Sequence, residues 1–192
     1  MNKIFILSLI VLSMTTIKAQ DLKKQITTAQ TSYAAGNLQE THFALQQMMQ
    51  EMDMTIGKEI LKLLPAKLDT LKPMAKEDNV LANGMLGATT QRVYGNENRR
   101  AEVQVISNSP IAASLNSLLT LPYMNNDGKT KTIKVQGYKA RLTKEGDSKD
   151  AYTLEIPFSN SLLTLKVSGS NETEITAFMN SFPLSKIAAL VQ

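Results

Sequence analysis

The period of the apolar residues changes once along this 192-residue chain, and that change limits the folds open to it. In the first part the spacing is three and four. Leu22, Ile26, Ala29 and Tyr33 form one stripe, and Leu38, Leu45, Met48, Met49, Met52, Ile56, Ile60 and Leu63 form a second. From Ala101 onward the spacing is two, as in Ala101, Val103 and Val105, then Tyr138, Ala140 and Leu142, then Leu163, Leu165 and Val167. A helix gathers the first pattern on one face, and a half-buried antiparallel strand gathers the second. Two kinds of secondary structure must therefore follow one another in separate blocks, which is the α+β class.

Local signals place the joints. Gly36-Asn37 interrupts the helical stripe, and Asn37 with Glu40 three residues on makes a capping box for a second helix, which Pro65 stops. Residues 21–65 thus read as a helical hairpin, residues 66–79, with Pro73 and several charges, as a linker, and residues 80–192 as the sheet domain. The stretch Val80 to Tyr94 reads as one further strand, with Gly84 and Gly87 marking a bulge or close approach. Ser109-Pro110 opens a helix running to about Leu121, and Asn171 with Glu174 caps another. The expected architecture is a helical hairpin followed by an antiparallel sheet of about five to six strands, with one face covered by two helices.

Residues 1–20 read as a secretory signal peptide. Lys3 precedes the apolar run Ile4–Leu12, and Ala19 offers a small residue for cleavage. The expected location is periplasmic or secreted. The chain has no cysteine, which rules out disulfides and a lipobox anchor. Taking Lys3 and Lys18 away with the leader lowers the basic count from 21 to 19 against 17 acidic residues, so the formal charge falls from +4 to +2. That balance, with no tryptophan, gives no nucleic-acid footprint. Nor does another apolar run reach the length of a membrane span.

The chain resembles a family of uncharacterised exported bacterial proteins over roughly Thr31 to its C-terminus. The shared features are Leu64-Pro65 at the hairpin's end, Gly84-Met85-Leu86-Gly87 leading to Tyr94, Ser109-Pro110, and the strands from Lys131 to Val167. It departs from the family's Gly-Trp after Leu-Pro, carrying Leu68-Asp69-Thr70-Leu71 instead. The order of elements also resembles the PsbP/Mog1-like fold, a sheet flanked by helices. The resemblance implies an exported domain and carries no activity or cofactor.

Candidate chemistry is sparse. Met48, Met49 and Met52 lie on the apolar stripe of the second helix and read as core fillers, with Met54 alone off it, which outweighs a thioether copper site. His42 is the single histidine, and no Gly-x-Ser-x-Gly elbow accompanies it. Asp127, Glu145, Asp147 and Asp150 fall in turns, which accounts for them. The expectation is therefore no enzyme, no metal and no cofactor. One surface stands out: Lys134, Lys139 and Arg141 occupy wet-face positions of two neighbouring strands, with Lys129, Lys131 and Lys144 close in sequence. That basic face is the candidate ligand site for an anionic envelope component, a small ligand or a protein partner. The functional expectation is a non-enzymatic binding or accessory domain of the cell envelope. The alternative is a structural protein that self-associates or docks through its hairpin.

Overall fold

The computed structural model describes residues 22–82, 87–119, 128–146 and 150–191. The signal-like segment, Gly84, Asp127, Asp147 and the end of the Ser109-Pro110 helix at Leu121 lie outside the described residues. The chain divides into two compact units, residues 1–52 and 53–192.

The first unit is a pair of helices. Helix α1 covers residues 22–34, and α2 is a long helix, Leu38–Leu63, which continues into the second unit. Gly36 turns the chain with φ 75°, a left-handed conformation that only glycine adopts without strain. Asn37 Oδ1 then accepts the Glu40 amide at 3.1 Å, the half of the expected capping box that satisfies a free donor of the first turn. The buried positions are small, Ala29 on α1 and Ala44 on α2. Much of the expected apolar stripe faces solvent instead: Leu38, Leu45, Met49 and Met52 are all exposed, as are Ile26 and Tyr33 on α1. The reading of Met49 and Met52 as core residues is corrected by this.

Within the second unit Asp53, Gly57 and Ile60 of α2 are buried, as is Leu64 just after it. Gly57 is required by proximity, because a Cβ there would lie 2.4 Å from Val80 Cγ1 and 2.8 Å from Thr90 Oγ1.

The sheet has seven antiparallel strands, not five or six. They are β1 (Asn79–Ala82), β2 (Ala88–Gly95), β3 (Arg100–Ser107), β4 (Thr130–Val135), β5 (Tyr138–Lys144), β6 (Ala151–Pro157) and β7 (Leu162–Ser168). Their spatial order is β1-β2-β3-β7-β6-β5-β4, so two meanders meet where β3 pairs with β7. The single strand expected over Val80–Tyr94 is two, β1 and β2, paired with each other.

One face of the sheet forms the core. Val103 and Val105 of β3, Leu163 and Leu165 of β7, and Leu154 and Ile156 of β6 are fully buried there. Helices α4 (Glu172–Asn180) and α5 (Leu184–Val191) complete this core with Ile175, Phe178, Met179 and Ile187. The capping box at the start of α4 is complete: Asn171 Oδ1 accepts the Glu174 amide and Glu174 Oε2 accepts the Asn171 amide. Helix α3 (Pro110–Leu119) is tied to the turn between β6 and β7, where Asn116 Nδ2 donates to the carbonyls of Phe158 and Ser161.

Residues 66–79 are part of this unit. Leu68 and Leu71 are buried in the core, joined by reciprocal backbone bonds of 3.0 and 2.9 Å around Asp69, whose φ is 54°. Farther along, the Met74 amide donates to Val93 and the Gly95 amide to the Lys72 carbonyl, so the segment runs beside β2. Its charges, which made it look like a linker, are anchors. Asp78 binds Arg92 with a closest approach of 2.6 Å, and Glu77 binds Arg100 at 2.7 Å.

Candidate functional site

The face of the sheet opposite the core carries the candidate ligand residues. Strand register aligns one polar row across all seven strands: Asn79, Gln91, Gln104, Thr164, Glu155, Arg141 and Thr132 are successive cross-strand neighbours. Side chains two apart on a strand share a face, so Lys139 and Thr143 flank Arg141 on the same side. An open cleft of about 320 Å³ lies over β3, β7, β6 and β5, with Arg141, Glu155, Thr164, Gln104, Lys166 and Thr153 in its lining.

Electrostatics within the cleft are largely settled internally. Arg141 directs Nη2 and Nε to the same Glu155 oxygen at 2.6 and 2.8 Å. The pair is largely covered, with the side chains 24% and 15% exposed, so an incoming anion meets a neutralised guanidinium. Beside it, Thr153 Oγ1 donates to Glu145 at 2.5 Å.

The three sequence-identified cations do share this face. Lys134 stands directly opposite Lys139 across β4 and β5, while Arg141 faces Thr132. Both lysines are exposed and neither has a carboxylate partner among the described residues. The three neighbouring lysines divide differently. Lys131 and Lys144 alternate to the other face, where Lys131 pairs with Glu172 of α4. With Lys129 and Tyr152 they line a small recess of about 150 Å³. The pleat thus keeps Lys134, Lys139 and Arg141 together and separates Lys131 and Lys144 from them.

Other candidates bring little together. His42 is exposed on α2 in a surface hollow with Gln39, Glu40, Phe43 and Gln46. Among the described residues no three His, Cys, Asp or Glu side chains are grouped to hold a metal ion. Among them, too, no helix is long and apolar enough to cross a membrane.

What the sequence reading missed is how many of the stripe's own residues lie on the exposed side of the helical pair, the docking surface of the alternative reading. Among the described residues the exposed large hydrophobics are Ile26, Tyr33, Leu38, Phe43, Leu45, Met49 and Met52, with Leu81 as the one outside it. A second unforeseen feature is buried Asp53, whose Oδ1 accepts Asn108 Nδ2 at 2.9 Å. Asn108 has φ 53° and lies between β3 and α3, so the carboxylate fixes a strained strand-to-helix corner.

No family model, curated protein or solved structure matches this chain.

Proposed function

We propose that this protein is an exported, non-enzymatic binding or accessory domain of the cell envelope, and that it engages its partner through the N-terminal helical pair. The observation that carries this reading is the concentration of exposed large hydrophobic side chains on α1 and the first half of α2. Soluble domains seldom leave contiguous apolar surface uncovered, and where they do it serves contacts with another molecule. The sheet unit, by contrast, closes its own apolar face with α4 and α5. Export is inferred from the signal-like residues 1–20.

A photo-crosslinking side chain placed at Met49 tests this in intact cells. A defined protein adduct from Met49, missing from the same probe at Thr132 on the open sheet face, is the expected result. Equal or no labelling from the two positions would overturn it.

A second reading rests on Lys134 and Lys139. Two lysines in register, without carboxylate partners among the described residues, form a local positive site that suits an anionic envelope component, with Arg141 contributing only if it leaves Glu155.

A further inference from the structure

We propose that Lys134 and Lys139 together hold the phosphomonoester headgroup of an anionic lipid surface. The inference rests on the reading of these two lysines as an anion site and names the anion.

Strand pairing sets the two ammonium groups close. The Lys144 amide donates to the Lys129 carbonyl at 2.9 Å, so that pair, at the open end of the β4–β5 hairpin, is hydrogen-bonded. Antiparallel pairs alternate between hydrogen-bonded and non-hydrogen-bonded, and Lys134 opposite Lys139 lies an odd number of places along. It is therefore a non-hydrogen-bonded pair, whose Cα atoms stand about 4.5 Å apart with their side chains together on one face. Thr130 and Thr143, a pair of the same kind, show the closeness directly, with hydroxyls 3.3 Å apart.

The hairpin that carries the lysines is held at both ends. Gln136 and Gly137 form its two-residue turn with φ 49° and 87°. Gln136 Nε2 donates to the carbonyls of Asn180 and Phe182 at 3.0 and 2.8 Å, and Lys131 pairs with Glu172 of α4. The backbone under both lysines is thus fixed before a ligand arrives. Nor does a carboxylate on this face offset them. Glu155, the one in register with this hairpin, is bound by Arg141 at 2.6 and 2.8 Å. Two like charges stand side by side across the strands, an unfavourable pairing that one anion between them reverses.

Charge and shape choose the anion. A carboxylate or a phosphodiester brings one negative charge and leaves one ammonium unmatched. A phosphomonoester carries about −1.5 to −2 at pH 7, with three acceptor oxygens to share between two lysines. Lysine meets phosphate as a point charge and lacks the planar fork with which arginine grips a carboxylate. Both side chains are exposed, so a single free phosphate stays hydrated and is held weakly. A surface dense in such headgroups multiplies the attraction, by roughly fivefold for each lysine near it.

The test is co-sedimentation of the full chain with vesicles. Phosphatidylcholine alone sets the background, and phosphatidylglycerol (a diester) or phosphatidic acid (a monoester) is added to equal surface charge. Residues 1–20 are common to every variant, so differences between variants exclude them. Tighter binding to phosphatidic acid than to phosphatidylglycerol is expected. Lys134→Gln/Lys139→Gln should weaken it by roughly twentyfold and erase the difference between the lipids. Its thermal midpoint should stay at or above the wild-type value. Lys67→Gln/Lys186→Gln removes the same charge from exposed positions off the sheet and should change neither result. Equal binding to the two lipids, still lost in Lys134→Gln/Lys139→Gln, would remove the monoester and leave an unselective anion site. Displacement by millimolar inorganic phosphate at fixed ionic strength would overturn the lipid source. Equal losses in the two double variants, or no binding above phosphatidylcholine, would remove the anion site itself.

Discussion

Tyr94 donates its phenolic proton to the carbonyl of Pro65 at 2.8 Å, from a position with no solvent exposure. Pro65 ends the segment that leaves α2, and Tyr94 lies on β2, so one hydrogen bond ties the end of the long helix to the sheet. Burial pushes the phenol up to about 12, with the nearby Arg92 guanidinium pulling the other way. An unfolded tyrosine titrates near pH 10, so between about 10 and 12 the folded state holds a proton that the unfolded state has released. Stability from this residue is complete below pH 10 and declines as pH rises through that window. Tyr94→Phe should therefore lose about 1–3 kcal/mol at neutral pH, from the unsatisfied Pro65 carbonyl. It should also flatten the alkaline decline. Denaturant midpoints at pH 7, 10 and 11.5 read both effects, and parallel slopes for the two proteins above pH 10 would refute the assignment.

Gly57 is predicted to reject even a methyl group. Alanine ordinarily gains about 1 kcal/mol over glycine within a helix. Here its Cβ would come 2.4 Å from Val80 Cγ1, and overpacking of that kind costs about 1–3 kcal/mol. Gly57→Ala is expected to lower the thermal midpoint, and Val80→Ala in the same chain is expected to restore part of the loss. A midpoint raised by Gly57→Ala would mean that α2 and β1 can separate freely.

Asn116 fastens α3 to the turn between β6 and β7 with bonds to two carbonyls. Replacing it by alanine removes the donor to the Phe158 carbonyl, while Ser161 keeps the Phe158 amide, at about 1–3 kcal/mol. The effect is expected to be local. Amide exchange in α3 should accelerate while the centres of β3 and β7 keep their protection. Uniform acceleration across the sheet would show that α3 is integral to the core.

The Lys134–Lys139 pair predicts a gain in stability. Like charges facing one another across strands are unfavourable by about 0.2–1 kcal/mol, so Lys139→Glu should stabilise the sheet by that order and more at low salt. The same substitution should weaken any binding to vesicles containing anionic lipid. Stabilisation with binding unchanged would retire the open face as an anion site.

Much of the sheet was legible because alternation is a local property. Val103, Leu154, Leu163 and Leu165 are buried where period two places them. The Asn171–Glu174 cap needed only four residues to be recognised. What failed was whatever depended on a partner. The apolar residues of α2 look like one stripe in sequence, yet the helix buries Ala44 in one half and Gly57 and Ile60 in the other, leaving Leu45, Met49 and Met52 outside. Periodicity states that a helix has an apolar side and is silent on whether anything covers it. Residues 66–79 failed for a related reason. Asp78 and Glu77 read as solvated charges until Arg92 and Arg100 are brought to them by strand pairing. Lys134, Lys139 and Arg141 do share the open face, while the pleat turns Lys131 and Lys144 to the other side and Glu155, on a strand 14 residues later in the chain, binds the arginine.

The pairing of β3 with β7 has a consequence for how the chain reaches this state. Val103 and Leu165 are cross-strand neighbours although 62 residues separate them. Each meander can form from nearby segments, but the join at the sheet's centre must close a long loop, which slows folding. Until Leu162–Ser168 has been synthesised, β3 presents an unpaired edge with its buried valines unsheltered. A polypeptide built in this way joins its two meanders only after β7 has been made, however early each of them forms.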